Sequence, residues 1–158
     1  ARTAAPVQGG RRVTAIPAAV DALVAMFTEQ LPDAQIVDGP PLVELEKSGI
    51  AVGYAVGTTT VDQVAVTSTE EGAGLDTTVE TFDVNCLAWQ RSGDTDVKAV
   101  RDATFALITI VDVALSNDRR LGGAVVNARL RVLDLDQMQN GDGTWAVVAF
   151  SITCTAFK

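Results

Sequence analysis

From residue 20 the apolar side chains recur three and four positions apart: Val20, Leu23, Val24, Phe27 and Leu31 fall on one face, and Pro32 ends the run. This spacing predicts a first helix over about 15–31, with Thr14 as its cap and Pro17 in its first turn, where a missing N–H costs nothing. The period then shortens. "AQIVDGPP" reads as a short strand closed by two prolines, "GIAVGYAVG" as a second, and "TTTVDQVAVTST" as a third that runs into "EEGAGLD", residues 70–76, a loop with two glycines. In "TTVETFDVNCLAWQ" the alternation is strict: Phe82, Val84, Cys86 and Ala88 point one way, Thr81, Asp83 and Asn85 the other, with Glu80 as the exception on the apolar side. A long strand with one face on a core follows.

The helical period returns at Val97, Val100, Thr104, Leu107, Ile108, Val111 and Leu115, ending near residue 117, with Asp94 or Thr95 as the cap and Asp96 in the first turn. "NDRRLGG" then carries the chain out of the helix. Arg119 and Arg120 suit its carbonyl end, and Gly122-Gly123 have the positive-φ freedom to leave it. Two strands separated by "QNGDG" close the chain, joined at Asn140-Gly141 or through the wider NGDG loop, and their alternation is out of phase. On residues 145–157 the even positions Val148, Phe150, Ile152 and Cys154 are apolar. On the opposing arm Val126, Ala128, Leu130 and Val132 are even as well, but Leu133 and Leu135 are odd. With a two-residue turn at 140–141, one extra residue near Val132 to Asp134 reconciles the two arms, so a β-bulge is expected there.

Helix, three to four strands, helix, hairpin: the simplest way to bury both helical stripes is an α+β domain, a mainly antiparallel β-sheet with two helices packed on one face and a long C-terminal β-hairpin. The 158 residues suffice for one such core, residues 14–158, preceded by an aperiodic Ala-, Gly-, Pro- and Arg-containing arm at 1–13 that is expected to be flexible. No apolar run reaches the ~18 residues of a membrane helix, and the arm has no apolar segment behind its arginines, so neither a spanning segment nor a signal peptide is expected. Cys86 and Cys154 lie in apolar strand runs and read as buried free thiols.

Charge divides the chain. Residues 1–12 carry Arg2, Arg11 and Arg12 with no acid. Residues 13–90 carry twelve acids against Lys47 alone, and the remainder is balanced, giving a net charge of −8. A broad nucleic-acid-binding face is not expected, because nothing beyond the arm would neutralise phosphates.

Candidate chemistry is sparse. With no histidine in the chain, the usual general base, the usual serine or cysteine activator and the commonest metal ligand are missing together. The pairs Glu44/Glu46, Glu70/Glu71 and Asp134/Asp136 lack the further oxygen ligands a hard metal needs and read as solvated or interface groups. The glycines form no dinucleotide or phosphate-loop pattern. No catalytic, cofactor or metal site is expected. Trp89 and Trp145 with Arg129 and Arg131 remain: on outer strand faces they would suit an interface, and a tryptophan lying over the sheet edge is the alternative. Acidic strand faces beside arginine-bearing ones point to self-association by charge complementarity. The candidate interface residues are Arg11, Arg12, Glu70, Glu71, Trp89, Arg119, Arg120, Arg129, Arg131, Asp134 and Asp136.

In order along the chain, "LPDAQIVDGPP", "GIAVGY", "ETFDVNCLAWQRSG", "VKAVRDATFALITIVDVALSND", "RRLGGAVVNARL" and the closing hairpin resemble the landmarks of the tail terminator proteins of long-tailed bacteriophages, also called minor tail or tail completion proteins. The resemblance covers about residues 14–157, in arrangement more than in single motifs; the arm at 1–13 matches no motif of the family. It implies a non-enzymatic virion protein, made in the host bacterial cytoplasm and placed at the head-proximal end of the tail. There it would form a ring, usually a hexamer, that caps the tail tube, meets the head-completion or connector protein, and lets DNA through its opening. An acidic body suits such a passage, because basic walls would retain DNA. Other readings are a head-completion or connector component, a tail tube subunit, a cytosolic small-ligand binding domain with its pocket between sheet and helices, and last an enzyme using carboxylates.

Overall fold

A computed structural model describes residues 12–41, 44–54 and 64–158. Helix α1 spans Ile16–Gln30. Strands β1 (Gln35–Asp38), β2 (Ser48–Val52), β3 (Val66–Gly72) and β4 (Thr78–Ser92) follow, then helix α2 (Val97–Asn117) and the hairpin β5 (Asn127–Asn140) and β6 (Gly143–Phe157). The six strands form one sheet in the order β1-β2-β4-β6-β5, with β3 pairing the first half of β4 and β2 the second. Every pairing is antiparallel except β1 with β2. The fold is thus the α+β arrangement that the periodicity implies, with both helices on one face.

That face carries the apolar set of each long strand. Phe82, Val84, Cys86 and Ala88 of β4 and Val148, Phe150, Ile152 and Cys154 of β6 meet Leu23 and Phe27 of α1 and Ile108, Val111 and Leu115 of α2, all buried. Burying side chains of this size contributes about 1.5–3 kcal/mol each, which holds the helices to the sheet. Cys86 and Cys154 are free and buried as expected. Cys86 stands opposite Phe150 and Cys154 opposite Phe82, so the two thiols are separated along the strands. Among the described residues no helix is long and apolar enough to cross a membrane.

The hairpin resolves its phase conflict with the expected bulge: Val132 pairs with Phe150 and Asp134 with Ala149, leaving Leu133 as the extra residue. The turn lies one position later than expected, at Gly141-Asp142, because Asn140 pairs with Gly143 and its side chain accepts from the Asp142 N–H at 2.8 Å. Gly143 has φ +134, and a Cβ there would sit 2.1 Å from the Ser92 carbonyl oxygen, so only glycine fits this close approach.

Other expectations are corrected at element ends. Asp96 itself caps α2, accepting from the Ala99 N–H at 3.0 Å, while Asp94 is spent on the preceding turn and accepts from the Thr95 N–H at 2.7 Å. Glu70 and Glu71 are not in a loop. Strand β3 runs through them to Gly72, because pairing with the long β4 continues to Thr78. The first residues of the run "TTTVDQ" lie outside the described residues, as do residues 1–11 of the arm.

Candidate functional site

The start of α1 is held from the sheet. Its N-cap, Ala15, has no side-chain acceptor of its own; instead Glu80 of β4, only 1 % exposed, accepts from the Ala15 N–H at 2.9 Å and from the Thr14 hydroxyl. Thr14, the expected cap, accepts from the Ile16 N–H at 3.2 Å, so it and Glu80 share the task. A carboxylate at a helix N-terminus meets unpaired N–H groups and the positive end of the dipole. The exception in the strand's alternation was the signal for this role, and sequence reasoning left it unassigned. Glu80 therefore belongs to the scaffold.

On the face of the sheet away from the helices, Trp89 is buried, which corrects the exposed-interface expectation and agrees with the alternative of a tryptophan lying over the sheet. Its indole lies over Gly49 of β2, where a Cβ would come within 2.4 Å of the ring, and its Nε1 donates to the Glu46 carbonyl at 3.0 Å. Arg91 Nη2 donates to the Leu45 carbonyl at 2.7 Å, and its guanidinium stands 5.4 Å from the Trp145 ring centre. These side chains fasten segment 44–47 onto the sheet. Beside them is an open depression of about 580 Å³ lined by Lys47, Arg91, Ser92, Asn140, Asp142 and Trp145.

Arg119 and Arg120 lie just beyond α2, which ends at Asn117, because Asp118 caps the exit by accepting from the Gly122 N–H at 2.9 Å. Gly122 and Gly123 take positive φ, as the exit requires. Arg119 donates not to the helix carbonyls but to the Ala128 carbonyl at 3.2 Å, at the start of β5, and to Ser116 Oγ at 3.4 Å. Arg120 is exposed.

The remaining candidates gather on the two margins of the sheet. On one margin β3 presents Glu70 and Glu71, both exposed, with Glu70 paired to Lys158. On the opposite margin β5 is exposed from Arg131 to Asn140 and has a strand partner only on its β6 side among the described residues. Through the bulge, Arg129, Arg131, Asp134 and Asp136 stand opposite Thr153, Ser151, Ala149 and Val147 of β6, so all four share the face away from the helices. Val132, Leu133 and Leu135 are interleaved with them, each about two-fifths exposed. Arg12 is exposed, whereas Arg11 lies outside the described residues. The margins are thus an acidic strand and a strand of mixed charge with apolar residues between.

Compared with known protein families and with curated proteins, the chain matches none. Among solved structures it is similar to a chain from the "Virion of native gene transfer agent (GTA) particle", with a TM-score of 0.44 and 10 % identity, covering 92 % of this chain and 100 % of that one. A likeness of that degree carries no conclusion about role.

Proposed function

We propose that this chain is a structural virion protein of a phage-like particle, acting as a tail terminator. In this reading six copies associate head to tail into a ring that caps the tail tube and joins the head-completion protein while DNA passes through. It works by assembly and needs no catalytic residue. The observation that carries the reading is the pair of sheet margins, β3 and β5, each with a strand partner on one side only among the described residues. Strand β3 offers Glu70 and Glu71 on one side and mixed-charge β5 offers Arg129 and Arg131 on the other, so one copy's acidic margin complements the arginine-bearing half of the next copy's β5. Two different complementary surfaces give a heterologous contact, which closes into a ring when the rotation between copies allows. The order of landmarks along the chain and the α+β fold they lead to support the same reading.

The small-ligand reading needs space between sheet and helices, and that layer is filled by Phe27, Phe82, Phe150, Leu23 and Ile50, all fully buried. Electron microscopy of the purified protein mixed with tail tubes tests the proposal. Closed rings on tube ends are the expected result; open-ended polymers would favour a tube subunit, and tubes without caps would overturn the terminator role.

A further inference from the structure

The margin of β5 that has no strand partner among the described residues is complementary to itself. Its sequence Arg129-Leu130-Arg131-Val132-Leu133-Asp134-Leu135-Asp136 reverses its charge about the midpoint between Val132 and Leu133 while keeping apolar residues at matching distances from it. We infer that two copies of this chain pair antiparallel through β5, edge to edge, about a two-fold axis at that midpoint. In this register Arg131 faces the partner's Asp134, Arg129 faces the partner's Asp136 and Leu130 faces the partner's Leu135, each twice.

The bulge makes the arrangement possible. Were Leu133 a regular ladder residue instead of the bulged one, the arginines and aspartates would lie on opposite faces of the strand; with it bulged all four share one face, and residues opposed across an antiparallel pair must share a face. The Ala128 carbonyl accepts from Arg119 at 3.2 Å and so marks where the unpartnered margin begins, leaving Arg129 to Asp136 for the partner strand. Bulges and charges on an edge strand ordinarily blunt it against association. Here the charges are antisymmetric, so they select one register. A parallel pairing in register sets arginine on arginine, and a two-residue slip leaves half of the charges unmatched. The pair is closed by its two-fold axis and adds no further copies. It occupies the strand that a head-to-tail ring would use, and so describes the chain in solution before assembly; it stands whether or not the chain forms a ring.

Light scattering and native mass spectrometry of the full chain at low salt test this. Wild type is expected at twice the chain mass. R129D/R131D makes the strand uniformly acidic and D134R/D136R uniformly basic, so each variant alone is expected at the single-chain mass, and their equimolar mixture at a mass containing one of each. Recovery in the mixture shows that both variants are folded. A wild type that stays at the single-chain mass, a variant that keeps the wild-type mass, or a mixture that fails to pair overturns the inference. Tube capping is scored separately: a wild type that pairs but does not cap tubes removes the terminator reading alone, and one that caps tubes but never pairs removes this one alone.

Discussion

Glu80 is the residue whose removal reports most directly on how the helix layer is fixed to the sheet. Its two carboxylate oxygens take the half-buried Thr14 hydroxyl and the buried Ala15 N–H, and the carboxylate itself is almost wholly shielded from water. Glu80→Ala is expected to cost about 1–3 kcal/mol, the usual penalty for orphaned buried groups, read as a lower urea midpoint at unchanged slope. Glu80→Gln, which keeps one acceptor, is expected to lose less. The two thiols give a pH-dependent counterpart. Burial raises Cys86 from 9.0 to about 12, with a smaller contribution from Cys154, and burial likewise raises Cys154 to about 12, assisted by Asp83. Well below pH 9 both thiols are protonated in the folded and the unfolded chain, and stability does not depend on them. Between pH 9 and about 12 the unfolded chain releases these protons and the folded one keeps them, so stability falls as pH rises. Thermal melts stepped through that window should show a decline that Cys86→Ala/Cys154→Ala lacks. Iodoacetamide at pH 8 should label neither thiol until the chain is unfolded.

At the scale of elements, the bulge is what lets two strands with conflicting phases share one register. Because Val132 pairs with Phe150 and Asp134 with Ala149, deleting Leu133 joins two segments that already face correctly. Deleting Leu130 instead moves the preceding residues by one and turns Ala128 out of the core. The Leu133 deletion should therefore keep a wild-type circular dichroism spectrum and a cooperative melt, and the Leu130 deletion should lose the cooperative melt. The bulge could be read from sequence because the parity switch between Val132 and Leu133 is recorded in side-chain chemistry. The start of α2 and the hairpin turn were each misplaced by a residue or two, since Asp94, Thr95 and Asp96 are all competent caps and the turn position follows from the Asn140–Gly143 pairing, neither of which local sequence decides. Trp89 was illegible for a similar reason. Alternation gives its face correctly, but its burial depends on Gly49 opposite and on segment 44–47, contacts set by strand pairing. The role of Glu80 is non-local too, linking residues 65 and 66 positions apart.

For the whole molecule, the proposed ring and the proposed β5 pair draw differently on the two margins of the sheet, and that difference can be measured. Pairing through β5 uses only Arg129 to Asp136, whereas a head-to-tail ring also needs the β3 margin of the neighbouring copy. Glu70 stands opposite Glu80 on β4, a like-charge pair relieved because Glu80 turns to the start of α1 and Glu70 to Lys158. Both Glu70 and Glu71 are exposed, so reversing their charge leaves the core intact. The Lys158 side chain that pairs with Glu70 is only 15 % exposed, so E70K/E71K is expected to lower the melting temperature modestly while keeping a cooperative melt. Repeated around a closed ring, however, the reversal sets lysines against Arg129 and Arg131 at every contact, and like charges across an interface cost several kcal/mol. E70K/E71K is therefore expected to retain the two-chain mass in solution and to lose capping of tail tubes, with D134R/D136R showing the converse. Capping by E70K/E71K at the wild-type level would remove the acidic margin from the ring contact, whatever the behaviour of β5.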